Sequence, residues 1–136
     1  MQLGVIGLGR MGRIVVDRTL AAGHDVVAFD IDDEAVAAAA EAGATPVDSL
    51  GSLAVSLGEQ KRIWLMLPAG DPVDAALDEL DGSLTDEDIL VDAGNSHFED
   101  SVRRAETTDA AYLDCGTSGG PAGAEVGFSL MVGGPE

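Results

Sequence analysis

The sequence contains few cations and almost no cysteine. Its 136 residues include 7 Lys and Arg against 25 Asp and Glu, which gives a formal net charge of -18. Phosphate backbones and anionic membranes repel such a chain, so we expect neither nucleic acid nor a membrane as a partner. The single cysteine, Cys115, excludes an intrachain disulfide and a multi-cysteine zinc site, as is typical of proteins from a reducing cytoplasm.

The start of the sequence lacks the features of a targeting signal. Residues 1–7 contain no basic region, and glycines interrupt their short apolar run. Neither a signal peptide nor a membrane anchor has this pattern. We therefore expect a cytoplasmic protein.

Lysine is nearly absent, and this bears on the salt concentration to which the protein is adapted. Lys61 is the only lysine, and the other basic residues are arginines. A surface dominated by Asp and Glu repels itself in dilute buffer and is best tolerated when concentrated salt screens it. The composition therefore favours a halophilic protein over a merely acidic mesophilic one.

Apolar residues, in contrast, are plentiful enough for a folded core. They make up 46% of the chain, and a single domain of this size buries roughly two thirds of the surface of its unfolded chain. Short β-branched runs alternate with Ala- and Asp-rich stretches, which predicts an α/β fold with a doubly wound, mostly parallel sheet. The predicted strands are residues 2–6, 26–30, 45–47, 62–67, 89–92, 111–114 and 129–132.

Helix start and stop signals fill the segments between these strands. The first two helices are predicted for residues 10–23 and 32–43, each ending at a glycine, and a third for residues 49–57. The fourth has the clearest start, because Asp71 can cap it and Pro72 suits its first helical position.

A glycine-rich motif, Gly7-Leu8-Gly9-Arg10-Met11-Gly12, follows the first predicted strand. Gly7 permits a tight turn, Gly9 lets the backbone approach a pyrophosphate, and Gly12 lets the helix pack closely on the strand. Asp30 ends the second strand near the expected spacing of about 20 residues, where an acid can bind ribose hydroxyls. The motif alone also occurs in ordinary turns, but its context favours a Rossmann-like dinucleotide-binding domain.

Three further segments follow strands at the same edge of the predicted sheet. Leu67-Pro68-Ala69 leaves the fourth strand, and Gly94-Asn95-Ser96 leaves the fifth. After the sixth strand, Gly116-Thr117-Ser118-Gly119-Gly120 offers hydroxyls and amides that suit a polyhydroxylated or anionic ligand. Each segment is also compatible with an ordinary turn or a flexible glycine loop.

Taken together, these segments resemble the N-terminal coenzyme domain of decarboxylating 6-phosphogluconate dehydrogenases. The Gly-Asn-Ser and Gly-Thr-Ser-Gly-Gly segments separate that family from the wider β-hydroxyacid dehydrogenases. The resemblance continues through residues 101–106 and 130–134 and covers nearly the whole chain. It implies cofactor contacts from Gly7, Leu8, Gly9, Arg10, Met11, Gly12, Asp30, Ile31, Asp32, Leu67, Pro68, Ala69 and Asn95. It implies substrate contacts from Asn95, Ser118, Gly119 and Gly120.

The sequence also departs from the family pattern. In the family, a lysine base, a His-Asn pair and a glutamate acid lie further on, in the connection to an all-helical domain. The resemblance therefore implies that residues 1–136 form an NAD(P)-binding domain without catalytic residues, and that a homo-oligomer requires the helical domain. Residues 106–112 look shorter than their family counterpart, so we expect a trimmed or distorted helix before the sixth strand.

Three reactive side chains lie outside these motifs. Lys61 precedes the fourth strand, at the edge opposite the expected site, and is predicted to be a solvated charge. His97 follows the Gly-Asn-Ser turn, but family members carry other residues there, so it is a weak candidate for a ligand contact. Cys115 is predicted to pack as a small hydrophobe, and we expect no metal site.

The resemblance implies an oxidoreductase of the pentose phosphate pathway that converts 6-phosphogluconate to ribulose 5-phosphate and carbon dioxide. We expect NAD rather than NADP, because Asp30-Ile31-Asp32 has no cation where NADP-using members tend to read Asn-Arg-Thr. Arg10 and Arg13 could still reach a 2'-phosphate. Two alternatives remain: a stand-alone dinucleotide-binding module without catalysis, and the coenzyme domain of a 3-hydroxyisobutyrate dehydrogenase-like enzyme.

Overall fold

Strands and helices alternate along the chain in the predicted order. A computed structural model describes residues 1–135. The strands are β1 (Gln2–Ile6), β2 (Asp25–Phe29), β3 (Thr45–Pro46), β4 (Arg62–Leu65), β5 (Ile89–Asp92), β6 (Ala111–Ser118) and β7 (Ser129–Gly133). The helices are α1 (Arg10–Ala21), α2 (Asp33–Glu41), α3 (Leu50–Leu57), α4 (Asp71–Leu80), α5 (Phe98–Thr107) and the short α6 (Gly123–Val126), which follows a single 3-10 turn over Gly120–Ala122.

The strands form one seven-stranded sheet in the order β3-β2-β1-β4-β5-β6-β7. All neighbouring pairs are parallel except β6 and β7, which are antiparallel. The chain builds outward from β1 through β2 to β3 and then crosses back to place β4 on the other side of β1. The predicted doubly wound, mostly parallel sheet is therefore confirmed, and its strand order reverses between β1 and β4.

Helices cover both faces of the sheet, because successive strand residues point to opposite sides. Val5 packs into a cluster with Val16 of α1, Ala39 of α2 and Ala44, which follows α2. Its neighbour Ile6 faces the other cluster, which contains Leu53 of α3 and Leu80 of α4. Central parallel strands buried on both faces require continuous apolar runs, and the sequence supplies them.

Several predicted element boundaries are wrong. The first two helices end at Ala21 and Glu41, two residues before the predicted glycines. β6 continues to Ser118 instead of ending at residue 114, because β7 pairs with its second half. β4 ends at Leu65 instead of residue 67, where the chain turns away toward α4. Gly70 caps α4 in place of Asp71, which is already helical and accepts no capping hydrogen bond.

The helix before β6 is regular. α5 spans ten residues, and three residues join it to β6, so the helix is not distorted, while its trimming relative to the family stays a prediction. Among residues 1–135, no helix combines the length and apolarity needed to cross a membrane.

Lys61 is not the solvated charge that the sequence predicts. Its side chain is only 13% exposed, and Nζ lies 3.3 Å from Oδ2 of Asp88. The buried Asp88 carboxylate also accepts hydrogen bonds from the backbone N–H groups of Lys61 (2.6 Å) and Thr85 (2.8 Å). An unpaired buried carboxylate is strongly destabilising, so the conformation in which Lys61 is buried beside Asp88 is favoured. Lys61 does lie at the edge of the sheet opposite the strands' carboxyl ends, as expected.

We expect Asp88→Asn to lower the free energy of unfolding at neutral pH by about 2 kcal/mol, since the carboxylate accepts several hydrogen bonds. Burial raises the pKa of Asp88, but the N–H donors and Lys61 outweigh it and hold the pKa below its ordinary value. A lowered carboxyl pKa adds stability above the unfolded-state pKa and loses it as pH falls through the folded-state pKa. The variant should therefore lose less stability than the parent between pH 5 and pH 2.

Urea unfolding followed by circular dichroism across this pH range measures the effect. Asp86→Asn, an exposed residue in the same turn, is the matched control and should leave the curve unchanged. An equal destabilisation by Asp88→Asn at every pH would contradict the role of the ionised carboxylate.

Candidate functional site

A cleft of about 840 Å³ opens at the carboxyl ends of the strands. It lies at the point where strand order reverses, between the ends of β1 and β4. Its walls come from the glycine turn after β1, the end of β2, the turn after β4, the outer face of α4 and the turn after β5. Open α/β sheets bind ligands at this location.

The glycine turn has the geometry that its sequence predicts. Gly7 adopts φ +95°, a left-handed conformation that favours glycine. A Cβ at Gly12 would overlap the carbonyl oxygen of Gly7, whereas a Cβ at Gly9 would meet only open space. Gly9 caps α1 without any side-chain hydrogen bond, so the first N–H groups of the helix remain available to an anion.

Asp30 fastens the glycine turn to the end of β2. Its Oδ2 accepts a hydrogen bond from the Leu8 N–H at 2.6 Å, and its Oδ1 accepts one from the Asp32 N–H at 2.9 Å. Each carboxylate oxygen can accept a second bond, so Asp30 retains capacity for ribose hydroxyls. The carboxylate therefore has a structural role that the sequence analysis did not identify.

The structure brings most of the sequence-predicted cofactor residues to this cleft. Its lining includes Gly7, Gly9, Arg10, Met11, Gly12, Asp30, Ile31, Leu67, Pro68, Ala69 and Asn95. Leu8 and Asp32 are not in the lining: Leu8 is buried and its N–H is bound to Asp30, and Asp32 caps α2 by accepting from the Glu34 N–H at 3.0 Å.

The expected substrate residues divide between the cleft and a neighbouring segment. Asn95 lines the cleft, while Ser118, Gly119 and Gly120 lie just beyond its edge, where β6 ends. The two glycines have φ of +124° and +48° and turn the chain away from the strand. Arg18 of α1 holds the segment that follows by donating to the carbonyl of Gly123 at 3.2 Å.

Thr117 lines the cleft; it belongs to the segment whose hydroxyls were expected to suit a ligand, but it is not among the contacts that the resemblance implies. It lies inside β6 and not in a loop, because β7 extends the pairing to this position. Its hydroxyl oxygen is buried and has no hydrogen-bond partner within the described residues.

A buried polar network behind the cleft is the feature that the sequence did not reveal. Arg104 of α5 is 1% exposed and Asp92 at the end of β5 is fully buried. Tyr112 and Ser96 each donate to Oδ2 of Asp92 at 2.6 Å, and Nη1 of Arg104 donates to the Ser96 hydroxyl at 3.0 Å. Nε of Arg104 donates to Asp74 of α4 at 2.8 Å.

The pKa directions agree with this network. The hydrogen bond from Arg104 holds the pKa of Asp74 below its ordinary value. Burial and the hydrogen bond to Asp92 raise the pKa of Tyr112. Burial opposes the charge of Arg104, but the hydrogen bond to Asp74 helps raise its pKa above the ordinary value. Arg104 and Asp74 thus stay ionised and Tyr112 stays protonated, so the network is intact at neutral pH.

His97 and Cys115 lie outside the cleft lining. His97 caps α5 by accepting from the Glu99 N–H at 3.4 Å. Cys115 is buried in β6, as predicted, and burial raises the pKa of its thiol. Among residues 1–135, no group of three or more His, Cys, Asp or Glu side chains is arranged to hold a metal ion.

A glycine turn that starts a helix, an acid at the end of β2 and a cleft at the strand-order reversal together define a dinucleotide-binding α/β domain. A family model for the NAD binding domain of 6-phosphogluconate dehydrogenase matches residues 2–136. The chain belongs to this family, and the resemblance drawn from the sequence is confirmed.

The similar proteins include enzymes of this family and of a related one. An NAD(+)-dependent, decarboxylating 6-phosphogluconate dehydrogenase from Haloferax volcanii is 74% identical over all of this chain and 46% of its own length. A Plasmodium falciparum 6-phosphogluconate dehydrogenase structure matches with TM-score 0.84 and 27% identity over 97% of this chain and 30% of that one. A Mycobacterium tuberculosis 3-hydroxyisobutyrate dehydrogenase structure matches with TM-score 0.85 and 27% identity, over 99% of this chain and 47% of that one. The chain thus spans less than half the length of these proteins.

Proposed function

We propose that this chain is the coenzyme-binding domain of an NAD-dependent enzyme that oxidatively decarboxylates 6-phosphogluconate to ribulose 5-phosphate in the pentose phosphate pathway. The observation that carries the proposal is a single cleft with the glycine turn and Asp30 at one end and Asn95 and Thr117 at the other. The cleft lies at the strand-order reversal, where sheets of this kind bind dinucleotides.

The residues of the cleft suit NAD. The N–H groups at the start of α1 and the open backbone at Gly9 suit the pyrophosphate. Asp30 suits the adenosine ribose, and the apolar Ile31 follows it in the lining of the cleft. Leu67, Pro68, Ala69 and Asn95 then line the half that receives the nicotinamide, whose chemistry when bound is hydride acceptance.

The chain's own contribution to the reaction is binding and orientation. The Asn95 amide can donate to and accept from sugar-acid hydroxyls, and the Ser118 hydroxyl with the amides of Gly119 and Gly120 suits hydroxyl or anionic groups. None of these side chains is a general base or acid suited to this oxidation. We propose that the base and acid come from sequence outside this chain, in a helical domain that also supports oligomer formation.

The proposed substrate separates this function from its nearest alternative. The 3-hydroxyisobutyrate dehydrogenase structure has a comparable fold similarity, so fold alone does not favour either substrate. The family match and the 74% identical relative favour 6-phosphogluconate. In the full-length polypeptide that carries this chain, 6-phosphogluconate should be oxidised far faster than 3-hydroxyisobutyrate, and equal or reversed rates would refute the proposal.

The chain alone should bind NADH without turnover. Titration followed by the fluorescence of bound NADH tests binding, and a coupled assay for ribulose 5-phosphate tests turnover. A positioned acid or base contributes roughly a hundredfold to ten-thousandfold to rate, and without these groups we expect no steady product formation. Failure to bind NADH would refute dinucleotide binding. Steady product formation would refute the proposal that the acid and base come from outside this chain.

We further propose that the protein works in a halophilic cytoplasm. The net charge of -18 and the single lysine support this, as does the Haloferax volcanii relative. The melting temperature should rise in potassium chloride, because the Debye length shortens from about 10 Å at 0.1 M to about 3 Å at 1 M. Thermal melts in a potassium chloride series measure the effect, with sucrose as the uncharged control. A melting temperature independent of salt would contradict the proposal.

A further inference from the structure

We propose that Ser96 and Arg104 are positioning residues that join the turns after β4 and β5 into one wall of the cleft and so hold Asn95 toward the nicotinamide half of the ligand. This inference rests on the proposed dinucleotide binding. Neither side chain lines the cleft, so both act through the residues that do.

Ser96 is the bridge between the Asn95 turn and the buried charges. Its hydroxyl donates to Oδ2 of Asp92 at 2.6 Å and accepts from Nη1 of Arg104 at 3.0 Å. Oδ1 of Asp92 accepts from the Gly94 N–H at 3.1 Å. Asn95 is therefore flanked on both sides by residues fixed to the same buried carboxylate, which restricts the backbone that carries its amide.

Arg104 extends this constraint to the other turn. Its Nη2 donates to the Gly70 carbonyl at 3.2 Å, and its Nε donates to Asp74 in the first turn of α4 at 2.8 Å. One rigid guanidinium thus contacts the turns after both strands. The turns also touch directly, since a Cβ at Gly94 would lie 2.5 Å from the Leu67 carbonyl oxygen.

Stability alone gives little reason to bury these groups. Desolvating a guanidinium and a carboxylate offsets much of their mutual attraction, and well-packed apolar side chains often do as well. What an apolar replacement cannot supply is the directional set of bonds to Ser96, Gly70 and Asp74. The network therefore fits a role in fixing the relative position of the two turns.

The location of the network predicts which part of the ligand it serves. It lies on the β4 and β5 side of the strand-order reversal, whereas Asp30 lies on the β2 side. The adenosine half binds near the acid at the end of β2. Loss of the network should therefore weaken NADH binding more than AMP binding, while a general loss of structure would weaken both.

The test compares NADH and AMP affinities of the 136-residue chain with those of its variants in high salt. Ser96→Ala removes the bridge without leaving a buried charge unpaired, and we expect about a tenfold rise in the NADH Kd with AMP affinity nearly unchanged. Arg104→Lys keeps the charge but cannot make all three guanidinium hydrogen bonds, so it should also weaken NADH binding while leaving AMP binding nearly unchanged. Ser96→Thr keeps the hydroxyl and should restore NADH affinity. Ser101→Ala is the matched control, because Ser101 is a buried serine on α5 outside the network.

Each outcome bears on the inference. Selective loss of NADH affinity in Ser96→Ala with recovery in Ser96→Thr supports it, and Ser96→Ala decides the question alone if Arg104→Lys does not fold. An unchanged NADH Kd, an equal loss for both ligands, or no recovery with threonine would overturn it. If the unmutated chain binds neither AMP nor NADH, the proposed dinucleotide binding is wrong, and this inference is wrong with it.

Discussion

Ile31→Arg is expected to raise the affinity of the chain for NADPH by about tenfold, and the double variant Asp30→Asn with Ile31→Arg is expected to reverse the preference for NADH. Ile31 is 94% exposed at the rim of the cleft, so arginine can replace it without disturbing the core. The new cation would lie beside Asp30, where the adenosine ribose and a 2'-phosphate are expected.

The charges around this rim favour NAD in the unmutated chain. A 2'-phosphate would approach the carboxylate of Asp30, and like-charge contacts can cost several kcal/mol, which is about a hundredfold or more in affinity. Of the two arginines that could compensate, Arg13 is already paired with Asp17 at 2.8 Å. Arg10 alone lines the cleft, and an exposed ion pair contributes about 1 kcal/mol at most.

The Asp30 substitution has a second effect that the experiment must separate. The carboxylate accepts from both Leu8 and Asp32, whereas asparagine has a single acceptor oxygen, so Asp30→Asn should also loosen the glycine turn. Ile31→Arg alone is therefore the cleaner variant, with melting temperature as a check on both.

Competition titrations with NADH and NADPH in high salt measure the change in preference. Val55→Arg provides the matched control, because Val55 is another exposed apolar residue (82%), on α3 and outside the cleft. If Val55→Arg improved NADPH binding as much as Ile31→Arg, the effect would reflect net charge and not the rim. Tighter binding of NADPH than NADH by the unmutated chain would contradict the assignment of NAD.

Local patterns in the sequence predicted most of the fold. Five of the seven strands lie within about one residue of their predicted ends, because β-branched runs bounded by glycine and acidic residues are local signals. The end of β6 was missed, since it depends on pairing with β7 and not on its own residues. The cap of α4 was missed because Gly70 takes a positive φ that no local rule requires there.

The site was predictable where chemistry follows from residue type and spacing, and not where it depends on distant partners. The glycine turn and Asp30 carry a recognised spacing, and the cleft contains them. The bond from Leu8 to Asp30 joins residues 22 apart, and that from Arg104 to Asp74 joins residues 30 apart. Nothing in the sequence distinguishes Arg104 from Arg103 beside it, and only the tertiary structure buries the first and exposes the second.

Lys61, at the opposite edge of the sheet, also depends on a distant partner. A lone lysine in an acidic chain is expected at the surface, but Lys61 pairs with the buried Asp88, 27 residues away. Buried carboxylates recruit donors wherever the fold brings them.

Gly9→Ala and Gly12→Ala should separate ligand binding from folding within a single motif. A Cβ at Gly12 would overlap the backbone carbonyl of Gly7, so α1 would have to move away from β1. Backbone offers no rotamer that relieves this contact, and we expect a loss of about 3 kcal/mol or more in unfolding free energy, together with loss of NADH binding.

Gly9→Ala should have the opposite profile. Its added methyl would meet no protein atom within 4 Å, and its backbone angles, φ -61° and ψ -169°, are open to alanine. As the cap residue of α1, alanine should cost under about 1 kcal/mol. The methyl would occupy the space through which the pyrophosphate approaches the helix N-terminus, so the NADH Kd should rise on the order of a hundredfold.

Melting curves and NADH titrations on both variants, in the same salt, decide between these expectations. Gly23→Ala is a useful third variant: its φ of +82° strains alanine with no atom in contact, far from the cleft, so it should lower stability and leave the NADH Kd unchanged. Because ADP shares the pyrophosphate, Gly9→Ala should weaken ADP as strongly as NADH, unlike Ser96→Ala, which acts at the other half of the cleft. Normal NADH affinity in a stably folded Gly9→Ala chain would mean that the phosphates do not bind at the glycine turn.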